Sequence, residues 1–189
     1  MKEIIGLTGP TGAGKSSLTA VANEYGYTVI DCDKYARKAV EKGTNGLFAL
    51  IKVFSSDILN EDETLNRAAL AKKAFSSKEN TELLNKTLLP YIAELVNKDI
   101  QNKQKILLDA PTLFESGMDR LCTKTVGVLA QKELRLKRIM ERDGIDEQSA
   151  TLRINAGKSD DFYKQNSDYI IVNNGDLSKV LNDFKNILE

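Results

Sequence analysis

The chain has 189 residues, 41% of them hydrophobic, with 27 Lys plus Arg balanced by 27 Asp plus Glu. That length predicts one domain with a real core, and zero net charge leaves no whole-molecule field to draw it to nucleic acid or a membrane. Histidine is absent, which excludes histidine bases, serine–histidine triads and histidine metal sites. The two cysteines, Cys32 and Cys122, have no metal-ligand spacing and read as free thiols of a reducing cytoplasm. No apolar run reaches membrane-spanning length. Strand-like sequence begins within a few residues of the N-terminus, which predicts no signal peptide.

Ile4–Thr8 reads as a short buried strand running into Gly-Pro-Thr-Gly-Ala-Gly-Lys-Ser, residues 9 to 16. This stretch fits the phosphate-loop pattern G-x-x-x-x-G-K-[ST] without a mismatch. Its glycines let the backbone turn with N–H groups inward, and the following helix adds its positive end to that anion cradle. Lys15 reaches the β- and γ-phosphates as a point charge, and the Ser16 hydroxyl suits Mg²⁺. Leu18, Val21, Ala22 and Tyr25 then form a helical apolar stripe, with Gly26 at the expected stop. The motif predicts binding of a nucleoside triphosphate with Mg²⁺ and does not name the reaction.

Further strands are predicted at Tyr27–Ile30, Lys105–Leu108, Thr125–Leu129 and Tyr169–Val172, separated by helical patterns. That alternation predicts a parallel sheet covered on both faces, with ligands at the carboxyl ends of its strands. Asp31-Cys32-Asp33 follows the second strand, where one carboxylate can accept a hydroxyl proton during phosphoryl transfer and the other can cap a helix. About 75 residues separate the second and third strands, too many for one crossover. Residues 34–104 therefore predict a helical subdomain over the site. Leu47, Leu50, Ile51 and Phe54 form one stripe in it, Leu83, Leu84 and Leu88 part of another, and Pro90 is expected to start a new helix.

Ile106-Leu107-Leu108-Asp109 has the Walker B form, in which the carboxylate helps hold Mg²⁺. Glu115 reads equally as a group behind that site or as a salt-bridge partner. On the helix predicted for Gln131 to Arg142, Arg135, Arg138 and Arg142 share one face. They read either as a solvated stripe or, for Arg138 and Arg142, as a clamp on triphosphate oxygens. Residues 144–168 are polar, with scattered basic residues, and suit either a closing flap or a surface helix pair. Asn173-Asn174-Gly175 looks like a turn whose amides can also contact a purine.

These motifs together resemble the dephospho-coenzyme A kinase family. The matching segments are the loop, Ile30-Asp31-Cys32-Asp33 with Ala36-Arg37, Leu65-Asn66-Arg67, Asp109-Ala110-Pro111 with Leu113-Phe114-Glu115, Arg138 with Arg142-Asp143, and Asn173-Asn174-Gly175. The resemblance implies an α/β, P-loop kinase-type three-layer fold with a five-stranded parallel sheet of order 2-3-1-4-5. Within one domain, 1–189, it implies a helical acceptor-binding insertion over 34–104 and a helical lid over 143–167. It implies transfer of the ATP γ-phosphoryl to the ribose 3′-hydroxyl of dephospho-coenzyme A, with ATP, Mg²⁺ and that acceptor as partners and no obligate protein partner. Asp33 is then the base, with Lys15 and Arg138 also catalytic. Gly12, Ala13, Gly14, Lys15, Ser16, Ser17, Arg142 and Asn174 hold ATP, and Thr8, Asp33 and Arg67 the acceptor. Ser16 and Asp109 hold the metal.

The chain departs from the family at Leu89, where His is common, at Gly157, where Gln is common, and at Pro10 and Thr112. Other acceptors, such as a nucleotide, nucleoside or shikimate, and an inactive nucleotide binder remain as alternatives. A guanine-specific switch is the least favoured alternative, because Asn85-Lys86-Thr87-Leu88 lacks the needed final Asp and Thr112 stands where Gly would follow Asp109.

Overall fold

In the computed structural model, which describes residues 2–189, five parallel strands and nine helices follow the chain. They are β1 (Glu3–Thr8), α1 (Ser16–Glu24), β2 (Thr28–Asp31), α2 (Cys32–Lys38), α3 (Asn45–Phe54), α4 (Arg67–Ala74) and α5 (Lys78–Asp99). After these come β3 (Lys105–Asp109), β4 (Lys124–Leu129), α6 (Lys132–Asp143), α7 (Glu147–Asn155), α8 (Asp160–Asn166), β5 (Tyr169–Val172) and α9 (Leu177–Leu188). Each predicted strand is present to within a residue or so at its ends. The spatial order is β2-β3-β1-β4-β5, as the resemblance implied.

Why the helices start where they do is plain from their caps. Asp31, Thr44, Asn66, Ser77, Asp146, Ser159 and Asp176 each accept a bond from the backbone N–H three residues on. Such caps satisfy one of the donors that every helix start leaves open. Among the described residues, only α1 and α6 begin without one.

Two compact units divide the chain. One comprises the segment ending at Ile30, Lys103–Leu113 and Leu121–Glu189; the other comprises Asp31–Asn102 and Phe114–Arg120. The first holds the sheet. β1 is its central strand, with Ile5 opposite Leu107 on one side and Leu7 opposite Val126 on the other. Ile5, Leu7, Leu107, Val126, Val128 and Ile171 pack with Leu18, Val21 and Ala22 of α1 and with Val180, Phe184 and Leu188 of α9. Each such side chain, taken fully out of water, contributes roughly 1.5–3 kcal/mol. Asp168 fixes the last strand, accepting from both the N–H and the hydroxyl of Thr125 at 2.7 Å. At the far edge, Ile139, Ala150 and Ile154 form a separate small cluster between α6 and α7.

In the second unit, Val40, Leu50, Phe54, Ile58, Leu70 and Ala74 form the core, with Ile51, Leu84 and Leu88 packed against it. The predicted stripe on α3 is thus interior, while Leu83 is exposed. Pro90 does not start a helix: α5 runs unbroken from Lys78 to Asp99. Proline removes one helical hydrogen bond and crowds the carbonyl four residues back, a local penalty of about 3 kcal/mol. Packing of α5 against α2, α3 and α4 outweighs it. No helix among the described residues is long and apolar enough to cross a membrane.

Candidate active site

The loop of residues 9–16 leaves the carboxyl end of the central strand and enters α1. Lys15 stands at the α1 cap position, and its side chain makes no cap hydrogen bond there. Positive helix-end charge is therefore offered to whatever sits in the loop. The Lys15 ammonium lies over the loop and donates to Gly9 O at 3.1 Å. Gly12 and Gly14 are each required by a close neighbour. Gly12 has φ +79°, and a Cβ there would meet Arg135 O at 2.8 Å. Gly14 has φ +92°, and a Cβ there would meet Asn173 Nδ2 at 2.3 Å.

Those neighbours line the outer side of the loop. Arg135 is buried, donates from Nε to Thr11 O at 3.0 Å, and pairs with Asp160 at 3.3 Å. Arg138 donates from Nη1 to Gly12 O at 3.3 Å and Ala13 O at 3.4 Å. Its Nη2 bonds the carbonyl and side-chain oxygens of Asn173 at 3.3 and 3.1 Å. Asn173, 5% exposed, completes the ring by donating to Ala13 O at 3.0 Å. Arg142 points elsewhere. It makes a two-pronged pair with Asp143 at 2.7 and 2.9 Å, and Arg153 of α7 bonds the same carboxylate. Arg142, then Arg153, holds the Asp143 carboxyl below the usual range, and Asp143 pushes the Arg142 guanidinium up.

Asn174 accepts from Gln131 N–H at 2.9 Å and so covers the start of α6, which has no cap of its own. Thr8 is fully buried, its hydroxyl donating to Pro111 O at 3.2 Å, which ties the end of β1 to the segment after β3. Asp109 ends β3 opposite Leu7, and Ser16 is exposed at the first position of α1. A hydroxyl and a carboxylate are hard oxygen donors. They suit Mg²⁺, which takes one or two protein ligands and fills its octahedron with phosphate and water.

Asp31, Asp33 and Arg67 belong to the second unit. Asp31 takes the structural role, capping α2 through Lys34 N–H at 3.2 Å and pairing with the Lys34 ammonium at 3.5 Å. Asp33 is exposed in the first turn of α2. Tyr35, one half-turn on, bonds Asp99 at the end of α5; burial first, and then that carboxylate, pushes its hydroxyl up to about 12. Arg67, exposed at the first position of α4, makes no ion pair or hydrogen bond among the described residues. Glu115 makes no ion pair there either, and its Oε2 is buried without a hydrogen-bond partner.

Sequence reasoning singled out the loop, Arg138 and Asn174; it read Asn173 only within a turn whose amides can contact a purine, and Arg135 only as one of three arginines on a helix face, and gave neither a place against the loop. The available signal was position: Asn173 directly follows the last strand at the sheet's carboxyl edge.

A parallel sheet of order 2-3-1-4-5 with this loop leaving its central strand defines a P-loop kinase. A shikimate kinase from Acinetobacter baumannii, solved with shikimate, shares that fold at TM-score 0.54 over 100% of this chain and 92% of its own, with 16% identity. More particular similarity lies elsewhere. The family described as dephospho-CoA kinase matches residues 3–179. The dephospho-CoA kinase of Listeria innocua is 36% identical over 184 residues, 95% of this chain and 92% of that protein. The solved dephospho-CoA kinase of Campylobacter jejuni has TM-score 0.65 and 26% identity, covering 100% and 96% of the two chains. The chain belongs to the dephospho-CoA kinase family and is a transferase.

Proposed function

We propose that the chain transfers the γ-phosphoryl group of ATP to the ribose 3′-hydroxyl of dephospho-CoA, giving CoA and ADP. The observation that carries this reading is a complete phosphate loop in a chain that matches the family from residue 3 to residue 179. The β- and γ-phosphates rest on the N–H groups of Gly12 and of residues 14–17, with Lys15 bridging them in place of its bond to Gly9 O. Ser16 and Asp109 hold Mg²⁺, which when bound neutralises charge on the phosphate oxygens. Asp33 accepts the proton of the 3′-hydroxyl as its oxygen attacks in line. The O3′–Pγ bond forms, the bond from Pγ to the bridging oxygen breaks, and ADP leaves with that electron pair. Arg138, against the loop, supplies positive charge as negative charge moves toward ADP, and Arg142 joins it in place of its pair with Asp143. Thr8 and Arg67 position the acceptor, and Asn174 lies beside the base.

The test is ADP release from MgATP with dephospho-CoA, run beside adenosine, AMP and shikimate. Turnover is expected with dephospho-CoA alone. Asp33→Asn is expected to lower kcat about 10²–10⁴-fold with ATP affinity little changed. Turnover only with shikimate or a nucleoside would replace the acceptor. ATP binding lost in Asp33→Asn, with normal residual kcat, would remove Asp33 as the base.

A further inference from the structure

We infer that Asn173 is a positioning residue for the phosphate loop, acting with Arg135 and Arg138 as a brace that sets the loop's amides before any nucleotide arrives. This deepens the reading above and rests on the loop being the triphosphate site.

Three consecutive loop carbonyls are taken from outside. Thr11 O is held by Arg135, Gly12 O by Arg138, and Ala13 O by both Arg138 and Asn173. A trans peptide is a rigid plane with its C=O and N–H on opposite sides. Holding these three carbonyls therefore fixes the N–H groups of residues 12, 13 and 14 on the other side. The Ala13 N–H closes the turn on Pro10 O at 3.2 Å, and with Thr11 O and Ala13 O turned to α6 arginines, the peptide planes turn the Gly12 and Gly14 N–H groups the other way. The amide of Asn173 has one orientation that fits: Nδ2 faces a carbonyl, and Oδ1 faces the Arg138 guanidinium. Reversed, oxygen would face oxygen and donor would face donor. Asn173 thus adds a second link between Arg138 and Ala13 O, beside the direct one, from a strand end far from the loop in sequence.

Partly buried, charge-assisted networks of this kind hold one geometry, because a missing member leaves the others without partners. A loop with its peptide planes already set binds phosphate without the ordering cost that a mobile loop carries. Asn173 makes its contribution through the loop's shape, whichever base the nucleotide carries.

Calorimetric titration of Mg²⁺-tripolyphosphate and of MgATP into wild type, Asn173→Ala and Arg138→Lys tests this, with the melting temperature of each recorded. Tripolyphosphate has no base and no acceptor chemistry, so it reads the loop alone. Both variants are expected to bind it about tenfold more weakly or worse, the loss of one or two hydrogen bonds, and to lose ATP affinity by the same factor. If ATP weakens and tripolyphosphate does not, Asn173 reads the base and the brace is wrong. If both affinities survive and only the melting temperature falls, Asn173 is structural and the brace is wrong. Should Asn173→Ala fail to fold, Arg138→Lys decides: it keeps the charge but loses the fork, and wild-type affinity would overturn the inference. Failure of wild type itself to bind tripolyphosphate would instead sink the triphosphate site.

Discussion

Gly14→Ala tests the packing of the loop with one methyl group. The residue sits at φ +92°, where an L side chain is strained by about 1–2 kcal/mol. The new Cβ would stand 2.3 Å from Asn173 Nδ2, and Asn173 is buried with no open side to retreat into. Its displacement breaks the bond to Ala13 O, about 1 kcal/mol, and the charged bond from Arg138, about 1.5–3 kcal/mol. The sum, about 3.5–6 kcal/mol, is a large part of the roughly 5–15 kcal/mol by which a domain is stable. Urea unfolding followed by circular dichroism should show that loss. MgADP binding, measured where the variant is still folded, should weaken by at least about tenfold. Adding Asn173→Ala should return part of the stability, since the clash partner is gone and the two effects are not additive. A Gly14→Ala protein that loses less than about 1 kcal/mol and binds MgADP within about twofold of wild type would refute the close packing of Gly14 on Asn173.

Arg67→Ala should raise the KM for dephospho-CoA by about ten- to a hundredfold, the worth of a charged hydrogen bond. It should leave the KM for ATP and the melting temperature nearly unchanged, because Arg67 is exposed and has no partner to abandon; a rise in the ATP KM instead would move Arg67 out of the acceptor site. Tyr35 gives a pH dependence of definite sign. Its hydroxyl is raised from 10.0 to about 12 in the folded chain, so the folded state keeps a proton that the unfolded state has already lost. That stability is fully present below pH 10.0 and is lost as pH rises toward about 12. Tyr35→Phe should flatten the alkaline fall in urea stability over that window, and an equally steep fall would remove Tyr35 as its source.

Much of the fold was legible because parallel strands buried on both faces announce themselves. Ile4 to Thr8, Ile106 to Leu108 and Val126 to Leu129 are runs that no exposed segment would carry. Helix starts were legible in part through their cap residues, as at Asp31. Pro90 was misread because a local rule was applied where tertiary packing decides: nothing in residues 86–94 states that α2, α3 and α4 lie against them. The loop was legible as a strand–turn–helix segment, since its pattern encodes its own backbone turn. Its surroundings were not. Helical spacing put Arg135, Arg138 and Arg142 on one face, yet the first is buried against Thr11, the second braces Gly12 and Ala13, and the third turns to Asp143. Spacing on a helix cannot say which turn meets another segment 125 residues away in sequence.

The small cluster of Ile139, Ala150 and Ile154 has a dynamic consequence. These three side chains, with Leu136, Met140 and Ile145 against them and the Arg153–Asp143 pair, fasten α7 to α6, while the sheet is held by a far larger core. Opening α7 uncovers only that cluster and breaks that pair, whereas exposing the amides of β1 requires dismantling the core that α1 and α9 bury. Backbone amides should therefore exchange their hydrogens with solvent in two classes, quickly along α7 and only with global unfolding along β1. The edge of the molecule that carries Arg153 breathes on its own clock while the strand feeding the phosphate loop stays shut.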